Sequence, residues 1–380
     1  MIIQYEIEAL APLVFPERKP GTQFNRSLPY VPGSVIFGAL GQVLANHPDL
    51  PAILRALRCH NAYPALPGDS WVRPIPATAI QPKGSTEMVQ DSLYRRVCWE
   101  RQQPQALVYA PTDDEGRPWE TVGQKFYTLR DQQLVYRSVQ QRMHTRVAIN
   151  RQRGVAQNER LYSLLAIRET VRGYNSDQLM PTRFVGSMTV PDAYNATILQ
   201  ALQQITYIGG RQTSGFGAVQ ITPREQAFEP VSAIRQRVME MTERFQQQAG
   251  RYERLGGRSW QITGHVFTIN LLADTILLAD GWLPTQELSA THLKALTGID
   301  AELVRAFTAT KTVGGWQALW QRPKPTNVAV TMGSVYVFAT QRHLTDHDYK
   351  QLAALQLVGI GERRQEGYGQ IRVCDEFHLR

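Results

Sequence analysis

Two short segments of the chain carry the same chemistry at the same spacing. The first runs Gly209-Gly210-Arg211-Gln212-Thr213-Ser214-Gly215-Phe216-Gly217-Ala218-Val219, the second Gly361-Glu362-Arg363-Arg364-Gln365-Glu366-Gly367-Tyr368-Gly369-Gln370-Ile371; both read G-x-R-x-x-x-G-[FY]-G-x-[VI]. Glycine lets a backbone reach positive φ and approach a ligand closely, so such a loop offers N–H groups to phosphate oxygens, and its arginine adds a charge-assisted bond. A helix C-cap followed by a tight turn would use the same glycines, but recurrence of the arginine and of Gly-aromatic-Gly argues for more than a cap. Both loops follow a helical pattern and open a strand, the reverse of the order in dinucleotide and P-loop folds, and no G-x-x-x-x-G-K-[ST] occurs.

The second chemical feature is a basic segment. Lys125 to Arg183 holds eleven Lys and Arg against four Asp and Glu, a surplus of seven in a chain whose net charge is +8. Within it His144-Thr145-Arg146-Val147-Ala148-Ile149-Asn150-Arg151-Gln152-Arg153-Gly154 sets alternate polar side chains on one face of a strand before a basic loop. Phe126, Tyr127, Tyr136 and Tyr162 offer surfaces on which bases could stack. The competing reading is a solvated basic face over core tyrosines.

Histidine serves metal-independent RNA cleavage as general acid or base, and His144 is the candidate for that role, with no evident partner. His343 and His347 stand four apart but lack the Glu of H-E-x-x-H. Asp113-Asp114-Glu115-Gly116 reads as an acidic turn before it reads as a metal site. No cofactor, small-molecule or metal motif emerges.

The elements that must position these residues follow from periodicity. Upstream of the loops Ala201, Ile205 and Ile208 match Ala353, Leu357 and Ile360 at helical spacing, so helix, glycine loop and strand occur twice, 152 residues apart. In the first half Ile3, Tyr5 and Ile7 alternate as a strand, and Ser34 is placed to cap a helix burying Val35, Ile36, Ala39, Leu40, Val43 and Leu44. Residues 143–150 and 184–190 read as the next strands, 192–205 as a helix and 217–222 as the last strand. The order is β-α-β-β-α-β, so the fold class expected is α+β with two tandem ferredoxin-like (RRM-like) domains. In the second half 261–273 and 327–340 read as long strands, 345–357 as a helix and 369–374 as the closing strand. The expected domains are 1–226, with a proline-rich insertion of loops at about 59–109, and 260–380; 227–259 joins them through an amphipathic helix (Ile234, Val238, Met241, Phe245).

Composition sets outer bounds. With 380 residues and 43% hydrophobic content the chain can bury two cores. Its 41 basic residues against 33 acidic favour a polyanionic partner, and 34 of the 41 are Arg, the side chain that grips phosphate bidentately and stacks on bases. Cys59, Cys98 and Cys374 are dispersed, without CxxC spacing, which fits a reducing cytoplasm. No signal-peptide pattern and no apolar run of membrane-spanning length is present, so no membrane partner is expected.

Pro32-Gly33-Ser34 opening a helix with Gly38-Ala39-Leu40, the run His144 to Arg151 followed by Leu161-Tyr162, and both glycine loops resemble the RAMP superfamily of CRISPR proteins. The second half, with Phe307-Thr-Ala-Thr-Lys311, Gly314-Gly315-Trp316, Pro323-Lys324-Pro325, Gly333-Ser334 and Gly359-Ile-Gly361-Glu-Arg363-Arg364, is similar to the type III-D subunit family called Csx-ten, a Cas-five-like branch. That resemblance implies two RRM-like domains in a non-catalytic, antiviral ribonucleoprotein subunit at the end of the effector complex. It further implies recognition of the repeat-derived 5′ handle of the CRISPR guide RNA (crRNA) and contact with a Cas-ten-type large subunit and Cas-seven-type backbone subunits. The RNA contacts it implies are His144, Arg146, Arg151, Arg211, Ser214, Gly215, Arg363 and Arg364, and with Arg26, Asn150, Arg153, Gly209, Gly210, Phe216 and Gly361 these make up the expected RNA-binding set. Glu362 and Glu366 beside the second loop's arginines repel phosphate, leaving a protein partner as that loop's alternative. The other functional reading is a metal-independent RAMP endoribonuclease using His144.

Overall fold

A computed structural model describes the whole chain except residues 18–23, 86–87, 104–107, 151–154, 173–177 and 318–320, and except the side chains of 24–25, 148–150 and 155–162. Alternating apolar residues make Ile2–Ala9 a strand (β1) whose Ile3, Tyr5 and Ile7 are fully buried. After it come the helices Gly33–Val43 (α1) and Leu50–Ala56 (α2), the short strands Arg58–Cys59 (β2) and Tyr63–Ala65 (β3), and the helix Leu93–Gln102 (α3). The long strands Gln141–Asn150 (β4) and Val155–Ile167 (β5) precede Arg183–Thr189 (β6), the helix Asn195–Gln204 (α4) and Val219–Gln226 (β7). An antiparallel sheet runs β7, β1, β6 and then the β2/β3 edge, with Ile36 and Leu40 of α1 and Ile198 and Leu202 of α4 packed into its core.

The 24-residue helix Val231–Arg254 (α5) leads to the second half, burying the expected stripe Ile234, Val238, Met241 and Phe245. There Val266–Leu271 (β8), the helix Ala290–Thr297 (α6), Glu302–Phe307 (β9), the pair Thr310–Val313 (β10) and Asn327–Val330 (β11), Val335–Ala339 (β12), the helix Asp346–Val358 (α7) and Ile371–Val373 (β13) follow in order. The sheet runs β9, β12, β8, β13. In both sheets the last strand lies beside the first, and a two-stranded arm is inserted between the second and third strands.

Several sequence expectations change. Residues 143–150 form a strand, but not one of the main sheet: β4 pairs with β5 in a hairpin arm, with the short strand Phe24–Arg26 parallel to β5. The second strand of the sheet is β2 and β3, in the segment read as irregular because of its prolines. Pro64 is tolerated since β3 is at the sheet edge, where no ladder donor is required of it. Residues 327–340 are two strands, broken by a turn at Gly333, whose N–H donates to Leu271 O at 2.7 Å. Ser34 caps nothing. Pro32 is the N-cap of α1, and the Gly33 N–H is satisfied by Asn61 Oδ1 at 2.8 Å.

Nor is the proline-rich insertion only loops. Its helix α3 packs on α5, placing Leu93, Val97 and Cys98 in the second half's core beside Phe245. Ile75, Ala79 and Tyr127 cluster with Phe377 near the C-terminus. Charge fixes this docking. Arg73 reaches Asp375 Oδ2 at 3.0 Å and pairs with Glu376; Tyr127 Oη donates to Asp375 Oδ1. Arg372 bridges Glu376 to Glu229 (2.7 and 2.8 Å), and Arg237 binds Glu229 at 2.5 and 3.1 Å and Val373 O at 3.2 Å. Nearby His378 Nε2 accepts from Asn270 Nδ2 at 2.8 Å, which leaves Nδ1–H to donate to Asp91 at 2.6 Å.

Burial pushes the Glu229 carboxyl up, but the bond from Arg237 and the charges of Arg372 and Arg237 outweigh it and hold the group down at about 2. A depressed carboxylate contributes stability that is present above its unfolded value of 4.5 and lost as pH falls towards about 2. Glu229→Gln is therefore expected to flatten the acid side of a stability-versus-pH curve across that window, a change followed by denaturation at each pH. Arg73→Met leaves Asp375, 1% exposed, without its cation. The loss expected is about 3–5 kcal/mol, read by chemical denaturation of the full chain.

Candidate nucleic-acid interface

The two glycine loops share one backbone. Arg211 and Arg363 are both left-handed (φ 65° and 55°), each followed by a single 3-10 turn and a left-handed glycine, Gly215 or Gly367. Ile208 N–H donates to Gly217 O and Ile360 N–H to Gly369 O, each at 2.9 Å. Gly210 N–H binds Val14 O and Gly217 N–H binds Pro12 O; in the second loop Glu362 N–H binds Ile276 O and Gly369 N–H binds Asp274 O, all at 3.0 Å. Each loop is thus tied to the segment that leaves the first strand of its own half.

These bonds alter the expected chemistry. The N–H groups of Gly210, Ser214, Gly215 and Gly217 all donate inside the chain, so they do not cradle phosphate. Gly217 is demanded by its own fold, because a Cβ there would lie 2.5 Å from Ile208 O at φ +91°. Gly215, by contrast, faces open space. What the first loop presents outward is side chains and shape.

The arm converges on it. His144 and Arg146 lie on one face of β4, two residues apart, and meet Phe216 of the loop. The Arg146 guanidinium carbon stands 4.8 Å from the centre of the Phe216 ring, and its Nη2 donates to Ser214 O at 3.2 Å. His144 meets the same ring edge-on at 5.3 Å. Beneath, Phe216 is buried with Val14, Leu164 and Ala166. Among the described residues no carboxylate pairs with Arg146, whose stacking on an aromatic face is worth about 0.5–2 kcal/mol. Burial, then the charges of Arg142 and Arg146, lower the His144 pKa. No second acid or base is bonded to the imidazole among the described residues.

The second half repeats this plan with different charge. Its arm, β10 and β11, packs Val313 and Ala329 against Ile276 and Tyr368, and Arg363 stacks on Tyr368 at 4.8 Å. Here Glu366 neutralises the site, binding both Arg363 (2.6 Å) and Lys324 (2.8 Å). The loop also docks on the first half, where a Cβ on Gly367 would meet Gly33 Cα, Cys59 O and Asn61 Oδ1, all at 2.9 Å. Its neighbour is this same chain.

The structure therefore brings His144, Arg146, Ser214, Gly215 and Phe216 together, with Gly209, Gly210 and Arg211 in the same loop. Gly361, Arg363 and Arg364 form the separate second-loop cluster. Arg26, exposed, ends the strand beside β5, opposite Leu165. Asn150 ends β4, its side chain outside the described set, and Arg151 and Arg153 lie outside the described residues. Of the basic segment, Arg130 and Arg137 are neutralised by Asp69 and Arg183 by Glu6 and Glu8. Phe126 and Tyr127 are core residues, 4% and 0% exposed, and offer no stacking surface. Tyr136 carries the Lys125 ammonium over its ring at 4.8 Å. Asp113 accepts from the Glu115 and Arg117 N–H groups and from Arg117 Nε, an acidic turn; no group of potential metal ligands occurs among the described residues. His343 precedes α7 and meets His265 edge to face, whereas His347 lies exposed within the helix. Among the described residues no helix is long and apolar enough to cross a membrane. Sequence reasoning missed the Arg146–Phe216 stack; alternation along β4 hinted at a shared face but not at what it would meet.

Residues 235–375 match the family model described as CRISPR-associated protein (Cas_Cmr3), a span running from α5 to just beyond β13. No curated protein matches the chain. Among solved structures, a chain of the type III-B Cmr-beta complex bound to cognate target RNA, determined by cryo-electron microscopy, is 13% identical with a TM-score of 0.44, covering 88% of this chain and 86% of that one. A chain of the same complex bound to cognate target RNA and AMPPnP is 12% identical, with a TM-score of 0.40 and coverage of 88% and 86%. A chain of a type IV-B CRISPR complex is 13% identical, with a TM-score of 0.29 and coverage of 60% and 93%. At such scores these likenesses carry no argument of their own.

The two glycines that differ in surroundings should differ in tolerance. Gly217→Ala is expected to destabilise by about 3 kcal/mol or more, from backbone strain plus contact with Ile208 O. Gly215→Ala should lose only about 1–2 kcal/mol for its left-handed backbone. Thermal and chemical denaturation of the two variants would separate these costs.

Proposed function

We propose that the chain is a non-catalytic RNA-binding subunit of a type III CRISPR effector complex, gripping the guide RNA where the first arm closes on the first glycine loop. One observation carries the reading: Arg146 is held on Phe216 beside His144 with no carboxylate among the described residues to neutralise it, whereas the cation over the second loop's aromatic, the loop's own Arg363, is cancelled by Glu366. The family match over residues 235–375 supplies the CRISPR context. The two sheets with their β-α-β-β-α-β order support a reading as tandem ferredoxin-like RAMP domains.

Finer assignments belong to the same proposal. The bound segment is the repeat-derived 5′ handle, and the neighbours are a Cas-ten-type large subunit and Cas-seven-type backbone subunits in the cytoplasm. The type III-D, Csx-ten-like placement rests on the second-half motifs around Lys311, Gly314-Gly315-Trp316 and Pro323-Lys324-Pro325. His144, held against Phe216 with no acid or base bonded to it among the described residues, favours contact with RNA over cleavage of it.

The test is affinity of the full chain for 5′-handle RNA and for a scrambled RNA of equal length across a salt series. Each phosphate neutralised on a single strand contributes about 0.7 to the slope of log affinity against log salt. Arg146→Ala is expected to reduce that slope by about 0.7 and affinity by about tenfold. Binding indifferent to salt would defeat the phosphate-contact reading. Metal-free cutting of repeat RNA, abolished in His144→Ala with affinity retained, would establish the nuclease instead.

A further inference from the structure

Most arginines that leave solvent in this fold do so beside a carboxylate. Arg73 has Asp375 and Glu376, Arg137 has Asp69, Arg237 and Arg372 share Glu229, and Arg363 has Glu366. Arg58, on β2, and Arg364, in the 3-10 turn of the second loop, break that pattern. Both are half-buried at the seam where the loop docks on the first half, and among the described residues neither is paired with a carboxylate.

The seam does not let them separate easily. Gly33 and Gly367 approach backbone to backbone, so that a Cβ on either would fall within 2.8–2.9 Å of the other's Cα. The turn carrying Arg364 packs against α1, α2 and β2 at once. Arg58 is held from the other side: its Nη1 donates to Arg55 O and Leu57 O, both at 2.8 Å, where these carbonyls close α2. Its Nε is buried and has no acceptor among the described residues. Burial first, and then the Arg364 charge, lower the Arg58 pKa from its usual value.

Two like charges fixed at a half-buried seam repel, and a buried donor without an acceptor is costly. An oxyanion placed between them turns the repulsion into charge-assisted bonds. Guanidinium groups suit a tetrahedral oxyanion with several acceptor oxygens.

We propose that Arg58 and Arg364 form a phosphate-binding site at the seam between the halves, separate from the first arm. The phosphate is either a backbone phosphate of bound RNA, in which case this inference rests on the RNA reading above, or a free phosphate group. One anion in this position would bridge the two halves across a seam that is already closed.

The test uses the full chain and two probes. Inorganic phosphate, compared with chloride at matched ionic strength, is followed by thermal shift; handle RNA is followed by the salt slope of binding. Arg364→Gln removes a side chain with no carboxylate partner among the described residues, so in phosphate-free buffer its melting temperature should equal or exceed that of the wild type. Arg58→Lys, which keeps the charge and loses the fork, guards against a variant that fails to fold. If the site takes free phosphate, the wild type is stabilised by phosphate and Arg364→Gln needs about tenfold more for the same shift. If it takes only an RNA phosphate, the free ion gives no shift, and Arg364→Gln lowers the RNA salt slope by about 0.7. Loss of the phosphate response in a chain that binds no RNA would sustain the site while refuting the RNA reading. Arg364→Gln that matches the wild type with both probes, or a melting temperature that falls without phosphate, would overturn the proposal.

Discussion

The fold turns on a carboxylate pair at its C-terminal end. Asp375 and Glu376 lie one residue beyond β13, and what they bind is scattered along the sequence: Arg73 and Tyr127 from the region after β3, Arg237 from α5, and Arg372 from β13 itself. Buried ion pairs are weak sources of stability, because desolvation consumes much of the Coulomb gain. Breaking one is nevertheless costly, because the partner left behind is a bare buried charge. The insertion can therefore dock on the second half in one register, with α3 against α5 and Ile75, Ala79 and Tyr127 around Phe377. Without that docking, α5 would expose the side that receives Leu93, Val97 and Cys98.

On this frame one supersecondary unit was used twice and then diverged. The two loops agree in left-handed arginine, 3-10 turn, left-handed glycine and tethering bonds to the exit of the first strand. They disagree in electrostatics and exposure. The first keeps Arg146 over Phe216 with no counter-charge among the described residues; the second commits Arg363 and Lys324 to Glu366 and packs Gly367 onto Gly33. Backbone geometry alone therefore does not decide what such a loop does. Glu366, standing where the first loop has Ser214, decides the charge.

Much of this was legible in the sequence and some was not. Period-two alternation located β1 and β6, helical periodicity located α4, α5 and α7, and comparison of the chain with itself found both loops. Proline misdirected the reading of 59–109, because Pro64 suits an edge strand and because α3 is made stable by its burial against α5. Residues 143–150 were recognisable as a strand but not as an arm, since membership of a sheet is decided by partners far away in sequence. For the candidate site, residue types were informative and contacts were not. Phe126, Tyr127 and Phe216 look alike in sequence and all three are buried, but Phe216 lies under the arm and carries Arg146 over its ring. Nor does sequence reveal which arginines are cancelled, as Arg137 is by Asp69, 68 residues away.

The RNA grip proposed above uses an arm and a loop where a sheet protein could offer a sheet face. Sheet-face readers of single-stranded RNA stack bases on aromatic side chains of their central strands. Here β1, central in its sheet, presents Gln4, Glu6 and Glu8 on the side away from the core; Gln4 bonds Ser70 O and accepts from Arg224, and both glutamates pair with Arg183. That surface has no aromatic platform on β1, and its carboxylates repel phosphate. The central strand of the other sheet, β8, is buried on both faces, with α5 bonded to it through Thr242. With both sheet faces closed to a polyanion, cationic and aromatic groups have to be carried beyond the sheets. The insertion point between the second and third strands does this in each half, and only in the first does the arm arrive at its loop with a charge that no described carboxylate cancels.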